Sequence, residues 1–102
     1  MEFQSDKIWL CEVTFFGNQR KTLPDLSLGT YRPHLVVKGE TEYLGVRFIE
    51  GEVTEFDKPV LCTIAVLYDT VDYSKMIEDT PFFIMEGAKA VGEGVIKLLE
   101  NK

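Results

Sequence analysis

Apolar and polar residues alternate with a period of two along most of the chain, the pattern of strands with one buried face. From Ile8 to Phe15, the residues Trp9, Cys11, Val13 and Phe15 make one apolar face, with Glu12 and Thr14 on the other. In Arg32 to Lys38, Leu35 and Val37 oppose His34 and Lys38. In Tyr43 to Phe48, Leu44, Val46 and Phe48 alternate with Tyr43, Gly45 and Arg47. The longest alternation is Val60, Cys62, Ile64, Val66 and Tyr68. Pro81 to Met85 and Ala90 to Leu99 complete the set, joined by Glu86-Gly87-Ala88-Lys89, a connection suited to a tight hairpin. Turn-like breaks fall between them at Gly17-Asn18, Pro24-Asp25, Gly39, Glu50-Gly51 and Asp57-Lys58-Pro59. Six such strands predict an all-β fold, a single closed antiparallel barrel, because closure removes exposed edges. Val91 to Leu99 alone could pass for a helix. Gly92 and Gly94 argue against that, and on a strand they leave one face bare, as a tight bend or close backbone approach requires.

The remaining composition narrows the picture. The 102 residues suit one domain, spanning 1–102, and 45% of them are hydrophobic, enough for an ordinary core. No apolar run approaches the ~20 residues of a membrane helix, and the N-terminus has no signal-peptide stretch, so the cytoplasm is the expected compartment. A net charge of −6 opposes generic nucleic-acid binding, which needs concentrated Lys and Arg, and DNA is not an expected partner. Cys11 and Cys62 lie in apolar stretches and read as buried thiols, with a disulfide open only if their strands are neighbours.

Enzyme signatures are sparse, and no catalytic residue is assigned. There is no phosphate-cradling GxxxxGK[ST] loop, and Gly87, Gly92 and Gly94 lack the strand-turn-helix setting of a dinucleotide site. Glu50, Glu52, Glu55 and Asp57 form one acidic cluster and Asp69, Asp72, Glu78 and Asp79 another, both in expected loops where water solvates them. A lone His34 without clustered cysteines leaves no zinc site, so neither metal nor cofactor is expected. His34 reads as an outward-facing strand residue at an interface, and Trp9 as core. Tyr43, Phe56 and Tyr73 would form an apolar patch for self-association if all three were exposed.

Two segments resemble the C-terminal barrel domain of elongation factor Tu. Arg20-Lys21-Thr22 followed by Tyr31-Arg32-Pro33 is similar to that family's GRKTPFFNGYRPQF stretch. Phe82 to Ile96, reading FFIMEGAKAVGEGVI, is similar to its FAIREGGRTVGAGVV. Their order and spacing match, so the resemblance spans about residues 8 to 99. It implies a six-stranded barrel that hydrolyses nothing, packs against a GTPase domain and a second barrel, and touches the T stem of aminoacyl-tRNA. Arg20 and Lys21 match the family's basic pair, and Glu86 with Gly87 matches its contacting hairpin.

The departures from the family pattern fall on both the protein-contacting and the RNA-contacting surfaces. His34 replaces the glutamine after YRP, at the family's contact with the GTPase domain. Met85 replaces the arginine of REGG, removing a phosphate donor. Asp72 or Tyr73 stands where a basic residue is usual, and Val53 to Val60 lacks the MxPGD turn. The resulting expectation is a stand-alone, non-catalytic binding module that presents a barrel face to a translation-factor-associated protein, with a weakened tRNA surface as the alternative. The candidate contact residues are Arg20, Lys21, Tyr31, Arg32, His34, Lys38, Glu86, Gly87 and Lys89.

Overall fold

The computed structural model describes residues 7–68 and 70–101. Six strands form in chain order: β1 Lys7–Phe15, β2 His34–Val37, β3 Leu44–Gly51, β4 Val60–Val66, β5 Pro81–Glu86 and β6 Lys89–Asn101. They close into one antiparallel barrel in the order β1-β4-β3-β2-β5-β6. The alternation in the sequence explains the fold, since one residue in two along each strand turns into a shared core. Trp9, Cys11, Val13 and Phe15 of β1 are at most 1% exposed. Among the described residues no helix is long and apolar enough to cross a membrane.

Three irregularities lie outside a simple period of two. Register slips leave Ile49 extra on β3 and Val91 and Lys97 extra on β6. Each extra residue is a bulge that bends its strand, which helps a short sheet curl onto itself. β2 begins at His34 because Pro33 has no N–H to offer a ladder. Residues 31–33 nevertheless stay bonded to β3: Val46 N–H donates to the Pro33 carbonyl at 3.1 Å and Phe48 N–H to that of Tyr31 at 3.0 Å.

The paired glycines do what their spacing suggests. A Cβ on Gly94 would lie 2.6 Å from the Glu12 carbonyl and 2.7 Å from the Phe82 ring. On Gly92 it would lie 2.7 Å from the Thr14 carbonyl. β6 therefore crosses β1 at a distance that only glycine permits.

Aromatic rings plug both ends of the barrel. At one end the Trp9 indole N–H donates to the Met76 carbonyl at 2.9 Å, and its ring lies 5.7 Å from that of Tyr73. The Tyr73 hydroxyl donates to the Gly45 carbonyl and accepts from Tyr68 N–H. At the other end, Tyr31 packs 6.0 Å from Phe15 and 5.3 Å from Phe48. The expected exposed patch of Tyr43, Phe56 and Tyr73 does not form: Tyr73 is 1% exposed, Phe56 packs against the core, and Tyr43 alone faces solvent. In a polar-looking loop, Tyr73 is drawn inward because its hydroxyl finds backbone partners there.

Candidate functional site

The residues singled out around the β5–β6 hairpin converge at the Phe15–Tyr31 end of the barrel. The chain leaving β1 is held by Asp57: Gly17 N–H donates to its carboxylate at 3.0 Å, and its own N–H donates to the Phe15 carbonyl at 2.7 Å. This turns residues 17–22 toward the hairpin. There Arg20 Nε donates to Glu86 Oε2 at 2.8 Å, and the Tyr31 hydroxyl donates to the same oxygen at 2.6 Å. The Arg20 guanidinium also lies over the Tyr31 ring, 5.5 Å from its centroid, and a second nitrogen donates to the Thr22 carbonyl. Lys89 Nζ donates to the Gln19 carbonyl at 2.6 Å. One carboxylate and one lysine thus staple the 17–22 loop to the hairpin.

The electrostatics follow from that geometry. The Tyr31 hydroxyl is pushed well above its ordinary range, first by burial, then by its hydrogen bond and proximity to the Glu86 carboxylate, with Arg20 opposing. A shallow groove of about 450 Å³ runs between the loop and the hairpin, lined by residues 17–22, Glu86 and Lys89. Its principal cation, Arg20, is already matched by Glu86, with side chains 22% and 30% exposed. Lys21 and the Gly87 tip face solvent. Gly87 sits at φ 63°, the left-handed region that a two-residue hairpin loop requires.

Arg20, Lys21, Tyr31, Glu86, Gly87 and Lys89 therefore form one cluster. Arg32 and His34 lie beside it on the outer barrel face, where the His34 ring is 5.6 Å from that of Tyr43. Lys38 is apart, at the far end of β2, paired with Glu93 at 2.7 Å and lying over the Phe83 ring at 4.7 Å. Two residues outside the candidate contact set matter here: Asp57, which aims the loop, and Arg47, which stands opposite Arg32 in the β2–β3 register. Arg47 showed only as the polar half of an alternation, and nothing local revealed its neighbour.

The other candidate chemistry is dispersed. Cys11 and Cys62 stand directly opposite one another on β1 and β4 as free, buried thiols. Burial pushes Cys62 up to about 12 and Cys11 higher still, with the neighbouring Cys62 adding to the shift in Cys11. Neither thiol supplies a nucleophilic thiolate near neutrality. Glu55 pairs with Lys58, and Asp72 caps the Ser74 N–H. Asp69 lies outside the described residues. Among the described residues no three His, Cys, Asp or Glu side chains converge as a metal site would need. A second open groove, of about 530 Å³, lies between residues 23–27 and 51–53.

No protein-family model and no curated protein matches the chain.

Proposed function

We propose that this chain is a non-catalytic binding module of the elongation-factor-Tu C-terminal-domain type, acting in the cytoplasm and presenting one barrel face to a protein partner. The observation that carries the reading is the Arg20–Glu86–Tyr31 clamp. It holds the loop and hairpin in one arrangement, so a partner meets a surface that is already ordered, and ordering costs at binding are reduced. The same clamp favours protein over RNA. Arg20, the cation best placed for a phosphate, is neutralised within the chain, and the net charge of −6 repels a polyanion.

The mode of recognition is constrained by closure. With every strand paired on both sides, no edge is open for an added strand, so the partner is met through side chains on a face or end. The high thiol pKa values and dispersed carboxylates support a role without catalysis. On this reading the module acts as a mimic or decoy, engaging what normally docks on elongation factor Tu.

A binding survey against purified translation factors and their associated proteins tests the proposal. Saturable binding to one of them supports it, and failure to bind any counts against it. The RNA reading makes a separate prediction: salt-sensitive tRNA binding that Arg20→Ala with Lys21→Ala weakens.

A further inference from the structure

Beside the clamped end, two arginines face each other on the outside of the barrel. The hydrogen bonds from Val46 to Pro33 and from Phe48 to Tyr31 continue the β2–β3 register, in which His34 stands opposite Gly45. Carried back, that register sets Arg32 opposite Arg47. The bonded pairs lie on either side, so this is a non-hydrogen-bonded position, where facing side chains come closest. Both side chains point outward, since Tyr31, Pro33, Val46 and Phe48 turn toward the core. The two heads converge on Gly29. Arg32 Nε donates to its carbonyl at 3.3 Å, and Arg47 Nη1 lies 3.7 Å from where a Gly29 Cβ would be.

Among the described residues, the ion pairs engage Arg20, Lys38, Lys58 and Lys75, and neither of these two arginines. Like charges directly opposite in an antiparallel pair are destabilising. The chain carries 17 acidic residues, yet among the described ones none is paired here. The arrangement costs the free protein stability and becomes favourable when an anion sits between the guanidinium groups.

We infer that Arg32 and Arg47 clamp a carboxylate side chain of a protein partner, an inference that rests on the protein-binding reading above. The surroundings select the occupant. His34 follows Arg32 on the same face, between Tyr43 and Met85. Gly45 offers no side chain, and the Tyr68 ring occupies that space, 2.5 Å from where a Cβ would be. Tyr43 and Tyr68 are 43% and 48% exposed. Arginine, tyrosine and methionine are the residue types enriched in protein interfaces, and a guanidinium matches a carboxylate in bidentate fashion. A polynucleotide would instead need a run of cations to release its counterions, and this face offers one pair. The occupant is therefore an acidic residue next to an apolar or aromatic one.

The test is a titration of the isotope-labelled full chain with the peptide acetyl-Leu-Glu-Tyr-Glu-Leu-amide. Inorganic phosphate and oligouridylate serve as parallel arms, and the readout is the arginine Nε–H and tyrosine resonances. The peptide is expected to shift Arg32, Arg47, Tyr43 and Tyr68 saturably, with about tenfold weaker binding in Arg47→Gln and in Arg32→Gln. Free Arg47→Gln is also expected to unfold about 1–4 °C above the parent chain, because the like-charge contact is relieved. A purely structural arginine would give the opposite shift. Equal peptide binding in the variants, no peptide binding at all, tighter binding of oligouridylate or phosphate than of peptide, or a lowered unfolding temperature in Arg47→Gln would each overturn the inference. The two readings fail separately. A translation factor that binds Arg47→Gln as well as the parent removes the clamp and keeps the partner. Peptide binding lost in the variants, with no translation factor bound by either, keeps the clamp and removes the partner class.

Discussion

Glu86→Gln tests the staple at the barrel end by removing charge while keeping an acceptor oxygen in place. In the parent chain, Glu86 Oε2 accepts from Arg20 Nε at 2.8 Å and from the Tyr31 hydroxyl at 2.6 Å. Hydrogen bonds to a charged group contribute about 1.5–3 kcal/mol, and neutral ones about 0.5–1.5. The substitution makes the Tyr31 bond neutral and removes the ion-pair attraction from the Arg20 bond, which would cost about 2 kcal/mol if both were buried. The pair is 22% and 30% exposed, so solvent screening lowers the expected loss to about 1–2 kcal/mol. For a domain of this size that is a drop of about 4–16 °C in Tm, followed by circular dichroism. Tyr31→Phe removes only one of the two bonds and should cost about 1 kcal/mol. A double-mutant cycle of Arg20→Gln with Glu86→Gln should return a coupling above about 0.5 kcal/mol. The variant also frees Arg20, so any residual tRNA affinity should rise and become more salt-sensitive. A Glu86→Gln chain as stable as the parent, with zero coupling to Arg20, would refute the reasoning.

Three further outcomes follow from the fold. Gly94→Ala drives a methyl group against the Glu12 carbonyl, the Phe82 ring and Val13, and should cost about 3 kcal/mol or more in chemical denaturation; Gly87→Ala, with open space around it, should cost about 1–2. Tyr73→Phe strips the Tyr68 N–H of its hydroxyl partner and leaves the Gly45 carbonyl only the 3.4 Å bond from Leu67 N–H, for an expected loss of about 1–3 kcal/mol by the same assay. Alkaline pH should destabilise the chain. Both thiols have folded pKa values raised above their ordinary 9.0, so the unfolded chain loses those protons first. Their contribution is complete below pH 9.0 and is lost as pH rises, with a slope approaching about 1.4 kcal/mol per pH unit for each thiol. Urea unfolding across pH 8 to 11 should show that slope reduced in Cys62→Ala, and a flat profile would contradict it.

The strands were legible because their signal is local. Trp9, Cys11, Val13 and Phe15 declare a buried face by alternation alone, and the Glu86–Lys89 hairpin declares itself by a glycine between two such runs. Gly92 and Gly94 even announced the close approach to β1. The bulges at Ile49, Val91 and Lys97 were not readable, since they come from closing the barrel and leave no mark on the residue types. Tyr73 looked like a loop residue because its burial depends on a carbonyl 28 positions away. The candidate end shows the same division. Arg20, Lys21, Glu86 and Gly87 could be singled out, but the chain alone did not say that Arg20 and Glu86, 66 positions apart, are paired. Nor did it say that Arg32 faces Arg47, which depends on the β2–β3 register. Long-range pairing of charges, and long-range pairing of strands, is information the linear pattern does not carry.

The most direct measurement is a paired titration of the purified chain, once against the isolated GTPase domain of elongation factor Tu and once against aminoacyl-tRNA, from low to physiological salt. The account predicts saturable binding to the protein, mapped to one barrel face, and no tRNA binding that survives physiological salt. Saturable tRNA binding that falls with salt and is lost on Arg20→Ala with Lys21→Ala, together with no binding to the GTPase domain, would contradict it.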